Sequence, residues 1–167
     1  MDPQQIVTAS AIRTWQQVGA RIGNLCSPLS EDQLRAEIAP GKNRLIYLWG
    51  HLAAIHDAMF PILRLGDRLH PELDLPFVSK PDRSMELPTA AEIKTCWDEV
   101  SSELVSRFAT LALHQWCERH GNVSEAEFDL DPTRNRLAVL LSRTNHASYH
   151  LGQMVLAKHP KAERNRS

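Results

Sequence analysis

The chain has 167 residues, 43% of them hydrophobic, and a formal net charge of −1 with an isoelectric point near 6.7. That size suits one domain able to bury a core without staples, and the balanced charge leaves no electrostatic footprint for a nucleic-acid backbone or an anionic membrane surface. No run approaches the roughly 18 apolar residues of a membrane span, and Met1-Asp2-Pro3-Gln4-Gln5 has neither a basic start nor an apolar signal core, so a cytoplasmic protein is expected.

Asp2-Pro3 is an N-cap followed by a first helical position, where the missing proline amide costs nothing. Ile6, Ile12, Trp15, Val18, Ile22 and Leu25 then recur at threes and fours, predicting an amphipathic helix that Gly23-Asn24 can end. Ser30-Glu31-Asp32-Gln33 has the form of a capping box and predicts a short connector helix to Ile38, closed by Pro40-Gly41. A second long helix opens near Asn43. At about 100° per residue, Leu48, Ile55, Ala58 and Ile62 fall within about 60° of His51, which therefore points inward, whereas His56 lies about 140° round. Pro61 bends or restarts this helix.

From Gly66 to Pro88 four prolines and no periodicity predict a long surface connection of the length used for lids and crossovers. Thr89-Ala90-Ala91-Glu92 is another capping box, and Ile93, Trp97, Val100, Leu104, Phe108 and Leu111 give a third amphipathic helix. Two short pieces follow, around Leu113 to Glu118 and Val123 to Phe128. Asp131-Pro132 repeats the cap-and-proline signal for a fourth helix running to about Lys158, apolar over most of its circumference and so either central or facing a partner subunit. Cys26, Cys96 and Cys117 are widely spaced and odd in number, which argues against a disulfide framework and reads as buried thiols.

Four long helices without strand signals predict an all-α fold, a four-helix bundle with long crossover connections, as one domain over 1–160 with a frayed basic tail at 161–167. The fourth helix carries His146 and His150, whose spacing stacks both imidazoles on one face, one turn apart, the geometry of two ligands for one metal ion. Since bundle sites are built from facing helices, the inward His51 could supply the third. His56, His70, His114, His120 and His159 read as surface or loop residues, and Trp15, Trp49, Trp97 and Tyr47 as packing.

Trp49-Gly50-His51-Leu52 in the second helix and His146-x-x-x-His150-x-Gly152-Gln153 in the last resemble the DinB superfamily of four-helix-bundle metalloproteins, also called DinB/YfiT-like. The likeness extends through the lead-in Leu29 to Leu34, the Pro40-Gly41 turn and the approach from Pro132 to Leu141. It implies that His51, His146 and His150 bind a divalent metal with the remaining positions left to water or substrate. It also implies a thiol transferase or isomerase using a low-molecular-weight thiol such as bacillithiol, mycothiol or glutathione, or a hydrolase. The chain departs from some members at Ile55, where an acidic or polar residue would lie one turn from the first ligand, so no fourth protein ligand is expected.

The chemistry stands apart from the resemblance. Three neutral imidazoles leave an ion its full charge and an open position, and such an ion can lower the pKa of water to about 7 or hold a thiol as thiolate. Zinc, nickel and iron all suit that donor set. Gln153 and Arg143 lie within about 60° of His146, placing either to orient a ligand or a substrate carboxylate; Tyr149 sits about 60° off the ligand stripe. No glutamate fills a His-Glu-x-x-His protease motif and no paired Glu-x-x-His motifs mark a di-iron bundle. The expectation is a metal-dependent enzyme acting on a small-molecule substrate, with thiol transfer ahead of hydrolysis, forming a homodimer through the fourth helix. The alternative is a non-catalytic bundle that binds a metal or small ligand.

Overall fold

The structure is a computed structural model and describes residues 2–157. Within them seven α-helices and no strand are present, and no helix is long and apolar enough to cross a membrane.

Helix α1 spans Pro3–Cys26. Asp2 caps it reciprocally with Gln5, and Thr8, Ala11, Trp15, Val18, Ile22 and Cys26 form its buried face. Ile6 departs from the expected stripe, half exposed. The helix also runs through Gly23, contrary to the expected stop. A Cβ there would stand 3.4 Å from the Trp97 indole nitrogen, about ordinary contact, and a single glycine at this position leaves the helix intact.

The Ser30 capping box opens α2, Glu31–Leu34, which stops short of Ile38 because Ile38 N donates to Asn43 O in a turn closed at Gly41, φ 74°. Helix α3 follows at Leu45–Asp57 and is buried at eleven of its 13 residues. It breaks at Ala58 before α4, Met59–Ile62. Pro61 explains the location: its ring opposes the carbonyl four residues back, which belongs to Asp57, the last residue of α3.

The long connection is more than a surface loop. A 3-10 turn at Pro71–Leu73 and a π-helical turn at Leu75–Ser79 pack against α3 and bury Leu73 and Phe77. Its start is tied to the fully buried Asp57, whose carboxylate accepts from Arg68 Nε and Leu69 N, both at 2.8 Å, and from His70 N at 3.2 Å. Its far end is tied by the Asp82–Arg44 ion pair at 2.6 Å and by Tyr47 Oη donating to Lys80 O at 2.8 Å.

Helix α5, Ala90–Phe108, begins at the Thr89–Glu92 capping box and buries the expected stripe from Ile93 to Phe108. A 3-10 turn at Leu113–Cys117 and α6, Glu125–Leu130, follow. Helix α7, Arg136–Met154, starts later than Asp131-Pro132 indicated: Asn135 Oδ1 accepts from Ala138 N at 2.9 Å, while Asp131 is spent on a turn with Thr133. Nor is α7 apolar all round, since it buries one face through Leu140, Thr144, Ala147, Leu151 and Met154 and leaves Leu141 and Tyr149 in solvent. Lys158, His159 and the expected 161–167 tail lie outside the described residues.

α1 packs along α7, and α3 packs on both α5 and α7, which places α3 beside the helix carrying the histidine pair. The three cysteines are free, but only Cys26 is buried; Cys96 is half-buried and Cys117 exposed, which corrects the reading of all three as buried thiols. Burial raises the Cys26 thiol to about 12, and burial with the nearby Glu72 and Glu99 carboxylates raises Cys96.

Candidate metal centre

Helices α3 and α7 turn three imidazoles toward one point. His51 Nε2 lies 3.4 Å from His146 Nε2, which lies 3.1 Å from His150 Nε2, and all three donor atoms fall within 4.8 Å of one another. The i, i+4 spacing on α7 accounts for one pair and the inward face of α3 for the third ring.

The outer nitrogens determine what the inner ones are. His51 Nδ1 stands 2.8 Å from the carbonyl of Phe77 in the π-helical turn, and His150 Nδ1 stands 2.8 Å from Gln153 Oε1. An oxygen that can only accept fixes the proton on Nδ1, which leaves a lone pair on each Nε2 directed at the other rings. His146 Nδ1 is buried and without a partner among the described residues. Burial lowers the pKa of all three: His146 falls to about 4, helped by His150, His51 and Arg143, while the Phe77 carbonyl partly restores His51 and Gln153 partly restores His150. Neutral nitrogens with inward lone pairs in a half-buried cluster are the donor set a borderline divalent cation takes, so the residues fit such an ion.

A family model described as the DinB superfamily matches residues 14–154. The chain belongs to the DinB superfamily. The comparison with curated proteins returned no match. In this DinB-superfamily chain the glycine before the first histidine has a steric reason: a Cβ on Gly50 would stand 2.3 Å from the Phe77 ring, so only glycine lets the turn holding His51 lie against α3.

Of the other expected site residues, Gln153 meets His150 as described. Arg143 lies close enough for its charge to depress His51 and His146, and its buried Nε has no hydrogen-bond partner. Tyr149 is 65% exposed, with its ring edge-on to His150. Ile55 adds no ligand, and among the described residues His51, His146 and His150 form the whole group. His114 is exposed, and His70 and His120 are intermediate.

His56 is a correction: it is 1% exposed, lies between Trp15 and Trp97 with ring centroids 5.3 and 5.1 Å away, and among the described residues has no partner on either nitrogen. Burial drives its pKa down to about 3. The expected surface position failed because α3 is enclosed on nearly every side, so the face opposite His51 also meets core. Sequence reasoning also missed the Phe77 carbonyl, for which no side-chain signal exists, and Asp57. The one available hint was Gly50, a glycine inside a helix beside a ligand.

Proposed function

We propose that His51, His146 and His150 hold one divalent transition ion, zinc, nickel or ferrous iron, through their Nε2 atoms, and that the protein is a metal-dependent enzyme. One observation carries the reading: two outer nitrogens stand against the acceptors Phe77 O and Gln153 Oε1, which leaves the lone pairs of His51 Nε2 and His150 Nε2 directed at His146 Nε2. When bound there, the ion supplies Lewis acidity, enough to favour the deprotonated form of a thiol or water near neutral pH.

The chain's own residues then act in three ways. Phe77 O and Gln153 hold two rings in the orientation and tautomer required. The neutral imidazoles leave the ion's charge undiminished. Arg143 lines a cavity of about 280 Å3 together with His120, Thr133, Arg134 and Ser142, one helical turn from His146. Burial lowers its pKa, with no acidic group acting against that, so it stands ready to receive an anionic group of a small substrate. A low-molecular-weight thiol that carries carboxylates suits both features, which puts thiol transfer ahead of hydrolysis.

The reading includes a DinB-type four-helix bundle of α1, α3, α5 and α7 with crossover connections, one domain over 1–160, and a homodimer paired through the exposed Leu141 and Tyr149 of α7. A monomer mass independent of concentration by light scattering would exclude the dimer.

The test is elemental analysis of tag-free protein, wild type beside His51→Ala and His146→Ala, followed by thiol consumption with an electrophile. About one transition-metal equivalent more in the wild type than in either variant, with thiol turnover that follows that equivalent, is the expected result. Metal without turnover of thiol or ester substrates would make the protein a metal-binding module. Equal metal in wild type and variants would overturn the site.

A further inference from the structure

A second cluster of unlike donors lies away from the histidine triad, where the long connection meets α5. His70 and Glu72 stand on the connection and Cys96 on α5, and one donor atom from each lies within 4.8 Å of the other two. The His70 ring bridges two carboxylates: Nδ1 is 3.1 Å from Glu72 Oε1, and Nε2 is 2.8 Å from Glu99 Oε2. Beside them opens a cavity of about 460 Å3, lined by His70, Glu72, Pro88, Thr95 and Cys96, which gives a hydrated ion a way in.

We propose that His70, Glu72 and Cys96 form a second metal site, selective for a zinc-like divalent cation, that clasps the connection to α5. The donor chemistry argues for it. An imidazole, a carboxylate and a thiolate are the three ligand types zinc takes, and in tetrahedral zinc such donors stand about 3.5 Å apart, a spacing the present separations of no more than 4.8 Å approach. Charge closes as well: Glu72 and Cys96, the latter surrendering its thiol proton to solvent, supply two negative charges against the ion's two positive ones.

The site is prepared in two respects. With the ion on His70 Nδ1, the nitrogen facing Glu72, the Nε2 proton is already accepted by Glu99, the carboxylate–histidine–metal arrangement that fixes tautomer and ring orientation. The His70 backbone is itself held by the buried Asp57, which accepts its amide proton at 3.2 Å. A thiolate and a carboxylate neutralise the ion, unlike the three neutral imidazoles of the triad, so this centre works as a clasp and not as a Lewis acid. The competing account is a His70 ring that merely hydrogen-bonds between Glu72 and Glu99, with Cys96 a bystander.

Cobalt separates the two accounts, because a thiolate ligand produces a near-ultraviolet charge-transfer band that nitrogen and oxygen ligands do not. Tag-free, metal-stripped full-length protein is titrated with Co2+ alone while stoichiometry is followed by elemental analysis. The expected result is about two equivalents and the thiolate band in the wild type, and about one equivalent without the band in Cys96→Ser. His70→Gln, on the connection, must also lose the band and serves if the cysteine variant folds poorly. His146→Ala must retain it, which separates this site from the triad: loss of metal there with the band intact leaves the clasp standing alone. No thiolate band in the wild type, or a band that persists in Cys96→Ser through Cys26 or Cys117, overturns the proposal.

Discussion

Replacing Gly50 by alanine tests the link between packing and the histidine cluster. The new methyl group would stand 2.3 Å from Cε1 and Cζ of Phe77 and 2.7 Å from Cδ1, so the ring must retreat by roughly 1 Å to reach ordinary contact. Phe77 is fully buried and packs against Tyr47, so retreat means overpacking the core, which costs about 1–3 kcal/mol. Alanine returns up to about 1 kcal/mol of helix propensity. The net expectation is a loss of about 1–2 kcal/mol in urea unfolding of metal-free protein. Movement of the turn also shifts the Phe77 carbonyl from His51 Nδ1, and disturbing such a support weakens metal binding about 10–100-fold, read by competitive zinc titration. Gly152→Ala is the control of opposite sign. None of the described residues stands within 4 Å of its added methyl, so that variant should gain up to about 1 kcal/mol and bind metal as the wild type does. A Gly50→Ala protein as stable as the wild type, with unchanged zinc affinity, would refute the reasoning.

His56 should make the fold acid-sensitive. Its folded pKa, about 3, lies below the ordinary 6.5, so the neutral ring's contribution is fully present above pH 6.5 and is lost as pH falls toward 3. At about 1.4 kcal/mol per pH unit, on the order of 3 kcal/mol is gone by about pH 4. His56→Phe should flatten that slope in urea titrations taken across the range, and an unchanged slope would acquit His56. Asp57→Ala removes one of the two carboxylates on Arg68, which keeps Asp74, and leaves the Leu69 and His70 amides without their acceptor; a loss of about 2–4 kcal/mol is expected in denaturant unfolding. Zinc affinity should hold through about pH 6.5 and fall toward pH 4, since His51, His146 and His150 all take up protons below the ordinary histidine range. A midpoint above about pH 6.5 in competitive titration would exclude these ligands.

Local rules made the helix starts and the histidine cluster legible. Asp2, Ser30 and Thr89 cap where their side chains and the residue three places on require, and the pair His146 and His150 needs only helical spacing. The angular argument that turned His51 inward failed at His56 for a definite reason. A stripe calculation assumes one core face and one solvent face, and α3 has core on both. The same assumption failed in the other direction on α7, where small and aliphatic residues around the helix looked like a second buried face, yet Leu141 and Tyr149 stand in solvent. Asp131-Pro132 misplaced the start of α7 because the side chain of Asp131 serves equally well in a turn with Thr133, and only the following chain decides between the two.

The connection between α4 and α5 shows why the cluster could be named from side chains yet not explained by them. Proline spacing identified the segment as long and irregular, but its role depends on main-chain atoms. Asp57 at the end of α3 binds its first residues, Arg44 and Tyr47 at the start of α3 bind Asp82 and Lys80 near its end, and the π-helical turn between these anchors is therefore held along the whole length of one helix. That turn presents the Phe77 carbonyl to His51. The helix that carries the histidine thus also anchors the loop that orients it, with Gly50 providing the clearance between them. Mutations at Asp57 or Asp82, neither of which is hydrogen-bonded to His51, should accordingly loosen the same ring that Gly50→Ala displaces, and the three effects on zinc affinity should be less than additive because they act through one carbonyl.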